Sequence, residues 1–261
     1  MDYQLEIEKI AKWMRAYSTQ VSKTKGFVVG LSGGIDSSVI ACLSVKAVGK
    51  ENVIGISLPC QTRQDMKDDA KELAENLGIR FETINLWESF KYMASDVQRI
   101  FGNDDREQIT DANIKARLRM TALYGVANKT NTLVAGTGNK SELMVGYFTK
   151  YGDGGVDIEP IGNYYKTQVY KMAEFMPEIP DKVKTKAPTA DLWEGQTDED
   201  ELGMTYARLD VILSKMEPYY TWRKMYEDSY DNITEEEWIE VLSMIRRSEH
   251  KNEVPPRYER E

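Results

Sequence analysis

One segment near the N-terminus reads Gly26-Phe27-Val28-Val29-Gly30-Leu31-Ser32-Gly33-Gly34-Ile35-Asp36-Ser37-Ser38. Its first half is a short apolar run bounded by glycines, which is typical of a strand buried in a parallel sheet. Its second half is a glycine-serine turn that leads into a helix predicted from about Ser37 to Val48, with Gly49 as its cap. A turn between a strand and a helix directs backbone amides and the positive end of the helix dipole at one point, which favours an anion.

The same alternation of strand and helix continues along the chain. We predict an N-terminal helix over Leu5–Val21 and further elements over Val53–Leu58 (strand), Gln64–Leu77 (helix), Arg80–Leu86 (strand), Asp111–Asn128 (helix) and Thr132–Gly136 (strand). This pattern predicts an α/β fold, a doubly wound parallel sheet with flanking helices. After Gly155 we expect a helical C-terminal part, with helices over Lys166–Phe175, Glu201–Lys215 and Glu235–His250.

Composition limits the classes of protein to consider. With 261 residues, of which 41% are hydrophobic, we expect one compact domain over residues 1–261. The net charge of −9 argues against a broad nucleic-acid surface, and no apolar run approaches the roughly 20 residues of a membrane span. The N-terminus has no secretion signal, so we expect a cytoplasmic location. The spacing of Cys42 and Cys60 fits neither a zinc site nor a disulfide framework, so both are expected to be core residues.

The chemistry of the turn is specific. Gly33 and Gly34 let the backbone approach an oxyanion, while Ser32 and Ser37 offer hydroxyl groups. Asp36 would repel a bare phosphate, which indicates a divalent cation beside the anion. The turn fits neither GxxxxGK[ST] nor GxGxxG. The alternative is an ordinary turn that only begins a helix.

This turn resembles the SGGxDS signature of the ATP pyrophosphatases. The resemblance implies an enzyme that cleaves ATP between its α- and β-phosphates and transfers AMP to an acceptor. It also implies that ATP contacts the residues of the turn, which are Gly30, Leu31, Ser32, Gly33, Gly34, Ile35, Asp36 and Ser37. The turn alone does not identify the acceptor.

Longer blocks downstream narrow the resemblance to the NAD synthetases and extend it from Gly26 to about Pro256. In chain order they are Asn113-Ile114-Lys115-Ala116-Arg117-Leu118-Arg119-Met120, Gly136-Thr137-Gly138-Asn139-Lys140-Ser141-Glu142, Gly146 to Gly155, Ile158-Glu159-Pro160-Ile161, Tyr165-Lys166-Thr167-Gln168-Val169, Lys186-Ala187-Pro188-Thr189-Ala190-Asp191-Leu192 and Glu249-His250-Lys251. Chance agreement of so many ordered blocks is negligible.

The resemblance assigns roles to particular residues. It implies that ATP contacts Thr137, Lys166 and Thr189, and that Asp36 and Glu142 bind Mg²⁺. Lys166 and Asp36 are then the catalytic residues, with Lys166 offsetting charge on the leaving pyrophosphate. The residues implied for deamido-NAD are Arg117, Lys150, Asp157, His250 and Lys251.

Some of these residues also have simpler interpretations. Ser141-Glu142 is compatible with a capping box at a helix start. Arg117 shares a helix face with Asn113, whereas Arg119 fits a solvated helix arginine better. His250 is the single histidine and fits a solvated side chain as well as a ligand contact.

The family resemblance implies a ligase that forms a C–N bond: deamido-NAD is activated by ATP, and ammonia displaces AMP to give NAD. Free ammonia is the expected donor, because the 25 residues before Gly26 are too few for a glutaminase domain. Supply of ammonia by a separate glutaminase chain is an alternative that the sequence leaves open. The resemblance further implies a homodimer. Two rivals also stay open: another ATP pyrophosphatase, such as a GMP synthetase ATPase subunit or a tRNA thiolase, and a non-catalytic nucleotide-binding protein.

Overall fold

The computed structural model of the chain describes residues 1–189, 193, 195–216 and 233–258. Within them, a sheet of parallel strands comprises β1 (Phe27–Gly30), β2 (Val53–Ser57), β3 (Arg80–Thr83) and β4 (Leu133–Val134). The helices are α1 (Tyr3–Ala16), α2 (Ile35–Val48), α3 (Gln64–Leu77), α4 (Trp87–Phe101), α5 (Glu107–Thr130), α6 (Lys140–Val145), α7 (Lys166–Ala173), α8 (Asp181–Thr185), α9 (Asp198–Leu202), α10 (Tyr206–Met216) and α11 (Glu235–Asn252).

The strand order β3-β2-β1-β4 makes β1 the point where the direction of winding reverses. Phe27 of β1 lies opposite Val53 of β2 on one side and opposite Leu133 of β4 on the other. The chain moves outward from β1 to β2 and β3, then returns to the other side of β1 as β4. Ligands of open α/β sheets bind beyond the strand ends at such a reversal. The predicted doubly wound parallel sheet is confirmed, and the loop after β1 lies at its switch point.

Helices cover both faces of the sheet, and the alternating side chains of β1 enter both cores. Phe27 and Val29 belong to a buried cluster with residues of α1, α2 and α7. Val28 faces the opposite way, into a cluster that includes Phe90 of α4 and Ile114 of α5. A strand buried on both faces explains the continuous apolar run at this point of the sequence.

A third cluster holds the C-terminal helices together. Leu209 of α10 and Trp238 of α11 are among its fully buried residues. Gly146 ends α6 with φ +69°, and a Cβ there would overlap the side chain of Ser248 in α11. Only glycine permits this approach, which fixes α11, with His250 near its end, against α6.

The predicted element positions are mostly right, with two errors between α3 and α5. The helix Gln64–Leu77 has the predicted bounds. Helix α4 was not predicted, although Trp87, Phe90 and Ala94 recur at helical spacing on the face that packs in the same core cluster as Val28. The predicted strand Arg80–Leu86 is too long: the Asn85 side chain accepts the Trp87 amide at 2.9 Å and begins α4.

Two helix predictions also had wrong bounds. The predicted helix Glu201–Lys215 is two helices, since Gly203, at φ +71°, ends α9 before α10 begins. The regular part of the first helix stops at Ala16, and a π-helical turn over Tyr17–Ser22 completes it. The two errors have a common cause, because a change of helix geometry leaves little trace in apolar spacing.

Cys42 and Cys60 are buried free thiols, which agrees with the expectation of core residues. Among the helices that the structure describes, none combines the length and the apolarity needed to cross a bilayer.

Candidate active site

The loop after β1 is held in shape by its own hydroxyl groups. Ser37 Oγ donates to the Gly34 carbonyl at 3.1 Å and accepts from the Ser32 amide at 3.3 Å. Ser38 Oγ donates to the same carbonyl at 2.8 Å. Ser32 Oγ accepts the Gly34 amide at 3.2 Å and lies 3.1 Å from Ser37 Oγ, so all three serine hydroxyl groups are engaged within the loop. The turn is preformed, and backbone amides are its remaining donors at the start of α2.

Gly33 brings the loop against α3. Its φ is +83°, and a Cβ at this position would overlap the backbone carbonyl of Met66, near the start of α3. The absence of a side chain at Gly33 thus sets how closely the loop approaches α3.

One ammonium group and two carboxylates meet beside this loop. Lys166 Nζ lies 2.5 Å from Asp36 Oδ2 and 3.2 Å from Glu142 Oε1. Only 3% of the Lys166 side chain is exposed. The three residues lie in the first turns of α7, α2 and α6, so three helix N-termini converge here. The positive ends of their dipoles favour negative charge, from carboxylates or from a bound anion.

Burial and the ion pairs act in opposite directions on these groups. Burial lowers the pKa of Lys166, but Asp36 and Glu142 raise that pKa more, so the ammonium is charged. Burial raises the pKa of Glu142, Lys166 lowers it and the Asp36 carboxylate raises it further. The net effect is a rise of this pKa to about 8. The charge of Lys166 and the protonation of Glu142 therefore depend on each other.

Glu142 serves two partners at once. Its Oε2 accepts the Asn139 amide at 3.2 Å, while Asn139 Oδ1 accepts the Glu142 amide at 3.1 Å. This is a capping box that begins α6. The other carboxylate oxygen faces Lys166, and Asn139 Nδ2 donates to Asp36 Oδ1 at 3.2 Å. The capping box is therefore present and leaves Glu142 able to face the cluster.

The backbone at Lys166 is fixed by a second buried carboxylate, which sequence reasoning missed. Asp210 of α10 accepts the Thr167 amide at 2.9 Å and the Ser141 hydroxyl. Ser141 Oγ in turn accepts the Lys166 amide at 2.9 Å. The first two amides of α7 are thus satisfied, and the start of that helix cannot rotate freely. Sequence spacing gave no signal for this long-range contact.

Asp198 is another buried carboxylate that the sequence did not reveal. It is 4% exposed and accepts from the hydroxyl groups of Tyr147 and Tyr206, both at 3.2 Å. The Tyr206 hydroxyl also lies 3.4 Å from Glu142 Oε1. Asp198 belongs to an acidic run at a helix start, where carboxylates are usually solvated. Nothing in that run distinguishes the one that is buried.

The charged cluster and Asp198 line a cavity of about 460 Å³ at the carboxyl ends of β1, β2 and β4. Its size suits a small-molecule ligand. Most residues predicted to contact ATP or metal line it: Gly30, Leu31, Ser32, Gly34, Ile35, Asp36, Ser37, Thr137, Glu142, Lys166 and Thr189. Gly33 is outside the lining because it faces α3. Ala190, Asp191 and Leu192, which end the motif of Thr189, lie outside the described residues.

The residues predicted to contact deamido-NAD are divided between the cavity and the surface. Lys251 lines the cavity, and its Nζ donates to the carbonyls of Gly146 (2.7 Å) and Phe148 (2.8 Å). Burial lowers the pKa of Lys251. The other four residues lie outside the lining.

Three of those four are connected through the backbone. Arg117 is exposed, and its guanidinium lies 3.4 Å from the Lys150 carbonyl. Lys150 Nζ donates to the carbonyl of His250 and to that of Glu253 at 2.8 Å, near the end of α11. The His250 side chain is exposed. Arg117, Lys150 and His250 therefore form one surface group.

Asp157 closes the edge of the sheet. Its Oδ2 accepts the Val134 amide at 2.8 Å, and its Oδ1 accepts from the Tyr124 hydroxyl at 3.1 Å. The Asp157 amide donates to the Val134 carbonyl at 3.0 Å. Its carboxylate is thus engaged with β4 and α5.

The interpretation of Arg119 as a solvated helix arginine is wrong. Arg119 is half-buried, lines the cavity, and donates from Nε to the Leu58 carbonyl at 3.3 Å. Residues two positions apart on a helix point in nearly opposite directions, so Arg117 faces solvent when Arg119 faces inward. Choosing which of the two faced the cavity required the direction in which α5 packs.

In the part of the chain that the structure describes, no cluster of three or more metal-type side chains is present. Asp36 and Glu142 are a pair of carboxylates that contact one cation, Lys166. Mg²⁺ is commonly bound by one or two carboxylates together with substrate phosphates. The donor set fits a metal that arrives with a phosphate ligand.

A phosphate-type loop at the switch point of a parallel sheet, with a buried lysine beside it, defines a nucleotide-binding protein of the ATP pyrophosphatase class. The NAD synthase family model matches residues 6–255. An NH(3)-dependent NAD(+) synthetase of Archaeoglobus fulgidus is 42% identical, with 98% of this chain and 97% of that protein covered. The chain belongs to the NAD synthase family, which confirms the predicted resemblance.

Solved structures agree with this membership. The NMN synthetase of Francisella tularensis has a TM-score of 0.85 and 34% identity, with 99% of each chain covered. The NH3-dependent NAD synthetase of Campylobacter jejuni, in complex with nitrate, has a TM-score of 0.79 and 26% identity, with 99% of this chain and 100% of that chain covered.

We predict that Gly33→Ala disrupts the loop while Gly34→Ala is better tolerated. Gly33 has positive φ and no room for a Cβ, so Gly33→Ala is expected to lower stability by about 1–3 kcal/mol. At Gly34, with φ −93°, a Cβ would meet only the Ser32 hydroxyl, at 3.2 Å. Thermal unfolding measures the difference, and equal transition temperatures for the two variants would contradict the argument.

Proposed function

We propose that this chain is an ammonia-dependent NAD synthetase, a ligase that forms the C–N bond of the nicotinamide amide. It uses ATP to activate the carboxylate of deamido-NAD and releases pyrophosphate and AMP. The observation that carries the proposal is the Lys166, Asp36 and Glu142 cluster beside the glycine-serine loop, in a chain of this family.

The first step is transfer of AMP to the acceptor. A carboxylate oxygen of the nicotinate attacks the α-phosphorus of ATP, and the bond from that phosphorus to the β-phosphate bridging oxygen breaks. The loop from Ser32 to Ser37 holds the phosphates with backbone amides, while Thr137 and Thr189 contact the nucleotide. Lys166 is a charged, buried donor that offsets the charge growing on pyrophosphate.

The second step forms the amide. The nitrogen of ammonia attacks the carbonyl carbon of the adenylate, the bond from that carbon to the AMP oxygen breaks, and a proton leaves the nitrogen. We assign no general base to this step. The protein contributes by positioning the reactants and by keeping water from the adenylate.

We further propose that Asp36 and Glu142 hold Mg²⁺ with the ATP phosphates. Both carboxylates contact the Lys166 ammonium, so they lie close enough together to hold one metal ion beside it. When bound there, Mg²⁺ withdraws charge from the phosphate oxygens and so assists departure of pyrophosphate.

Arg117, Lys150, Asp157, His250 and Lys251 are proposed to select deamido-NAD. Lys251 reaches the cavity, whereas Arg117 and His250 face outward. A dinucleotide is long enough to extend from the cavity over the protein surface. We therefore propose that its reactive end lies in the cavity and its remainder on the surface group of Arg117, Lys150 and His250.

We also propose a homodimer. Large apolar side chains are exposed on α4 and at the start of α5: Tyr92, Met93, Ile100, Phe101 and Ile109. Tyr92 and Phe101, which are 74% and 83% exposed, line one groove between these helices. Exposed apolar patches of this kind usually mark interfaces. A second copy of the chain is the proposed occupant.

A cytoplasmic location and a single domain over residues 1–261 complete the proposal. The free thiols of Cys42 and Cys60 fit a reducing compartment. Contacts from α7 to α2 on the sheet side and to α10 on the C-terminal side support one continuous unit.

A mononucleotide acceptor is the second candidate. The solved relative with 34% identity is named NMN synthetase, so we consider nicotinate mononucleotide, whose amidation would give NMN, as an alternative acceptor for this chain. The same activation chemistry applies to both acceptors, and only the part of the substrate beyond the mononucleotide distinguishes them.

The decisive assay supplies ATP and Mg²⁺ with deamido-NAD or nicotinate mononucleotide, and with ammonium or glutamine. We expect AMP and NAD in equal amounts with deamido-NAD and ammonium, and little product with glutamine. Faster turnover of the mononucleotide would select the second candidate. Formation of ADP, or no AMP with any acceptor, would refute the proposal.

We predict that Lys166→Met lowers kcat by about 10²- to 10³-fold, because a preorganised donor to the leaving group is lost. Lys171→Met is the matched control: it lies on the same helix, is exposed, and pairs only with Glu174 among its described neighbours. Steady-state kinetics at saturating ATP, Mg²⁺ and deamido-NAD measure both variants. Similar kcat values for the two would exclude Lys166 from catalysis.

We predict that Phe101→Glu converts the dimer to a monomer of 29.9 kDa, because a charge is placed in the apolar groove. Phe175→Glu, at a 51% exposed position outside the groove, is the control and should remain dimeric. Light scattering gives the mass of each protein. A dimer that survives Phe101→Glu must use another surface.

A further inference from the structure

Asp69 is a buried carboxylate on α3 that lies outside the cavity lining. Only 3% of its side chain is exposed, and its two oxygens are held by two different lysines. Lys182 Nζ lies 2.7 Å from Oδ1, and Lys186 Nζ contacts Oδ2. Burial raises the pKa of Asp69, but the two ammonium groups lower it more, so the carboxylate is charged.

Both lysines belong to the chain segment that leads to Thr189. Lys186, Ala187, Pro188 and Thr189 line the cavity one after another. The backbone of this segment is held at two further points: the Tyr170 hydroxyl lies 3.5 Å from the Lys186 carbonyl, and the Asp198 amide donates to the Pro188 carbonyl at 3.1 Å. Asp69 ties the segment to α3, and of the two α3 carboxylates that pair with Lys186 it is the buried one.

The first turn of α3 also supports the loop after β1. The Met66 carbonyl is the group that leaves no room for a side chain at Gly33. Lys186 Nζ lies 3.3 Å from the sulfur of the same Met66. One rigid helix therefore contacts the loop on one side of the cavity and the Lys186–Thr189 segment on another. The spacing between these two parts of the cavity wall depends on α3.

We propose that Asp69 is a positioning residue for ATP, which it serves by holding the Lys186–Thr189 segment at a fixed distance from the phosphate loop. The inference rests on the proposed function only in taking ATP as the ligand of this cavity. Asp69 touches no part of the cavity itself and acts through Lys186. Small displacements of binding groups have large effects on affinity and rate, which gives such a contact its importance.

A direct role of Lys186 makes the opposite prediction. Lys186 also pairs with Asp65 at 3.1 Å. Asp65 and Asp69 would therefore both compete with a bound phosphate for the Lys186 ammonium. If Lys186 bound phosphate directly and positioning were unimportant, removing an acidic partner would free the ammonium and strengthen ATP binding. If Asp69 positions the segment, removing it weakens ATP binding. The direction of the change in ATP affinity therefore distinguishes a direct role of Lys186 from positioning by Asp69.

The test measures binding of α,β-methylene-ATP, which cannot be cleaved at the α–β bridge, by titration calorimetry with Mg²⁺. For Asp69→Asn we expect about tenfold weaker binding, which corresponds to about 1.4 kcal/mol. The dissociation constant of deamido-NAD, measured in the same way, should change less than about twofold. Lys184→Ala is the control, because Lys184 lies on the same segment but pairs with Asp181 and lies outside the cavity lining, and the affinity of this variant should match that of the unmodified protein.

Unchanged or tighter analogue binding by Asp69→Asn would overturn the inference, as would equal weakening of both ligands with a lower transition temperature. If Asp69→Asn does not fold, Asp65→Asn decides. Asp65 is 53% exposed, so its substitution leaves the core intact, and about threefold weaker analogue binding is expected. Unchanged or tighter binding there also overturns the inference. Because binding is measured without turnover, failure of the amidation assay leaves this result interpretable.

Discussion

The buried contact of Lys166 with Asp36 and Glu142 is the constraint on which the candidate site depends. Removing either partner from a buried ion pair leaves an uncompensated charge, so the three positions cannot vary independently. The contact also joins α2, α6 and α7, which come from distant parts of the chain. Its formation therefore requires these three helices to be packed together, and Asp210 and Asn139 then hold the groups around it in place.

The parts of the fold that were predictable are those whose signals are local. The run before Gly30 is buried on both faces, and α3 is a regular amphipathic helix that ends at a glycine, so pattern and structure coincide. Helix α4 was missed although its apolar residues Trp87, Phe90 and Ala94 recur at helical spacing, so this pattern was available in the sequence. The break at Gly203 was missed because apolar spacing continues across it.

The same distinction between local and tertiary signals applies to the candidate site. The glycine-serine loop is one continuous segment, so its place between a buried strand and a helix followed from the sequence, whereas the strand order that makes it the switch point did not. Asp198 and Asp210 depend on tertiary contacts between helices, and no local pattern marks them. Arg117 and Arg119 show the limit most directly, because the rotation of α5 alone decides which one faces the cavity.

Asp157 has a consequence for how copies of this chain can associate. Its carboxylate and amide occupy the outward amide and carbonyl of Val134, and Ala135 pairs with Ile158 just beyond, so the β4 edge offers little free backbone for another strand. An unprotected sheet edge invites intermolecular strand pairing and aggregation. Substitution of Asp157 would therefore expose such an edge. Loss of activity in such a variant can report aggregation as well as a lost ligand contact, and solubility has to be measured before the residue is assigned to substrate recognition.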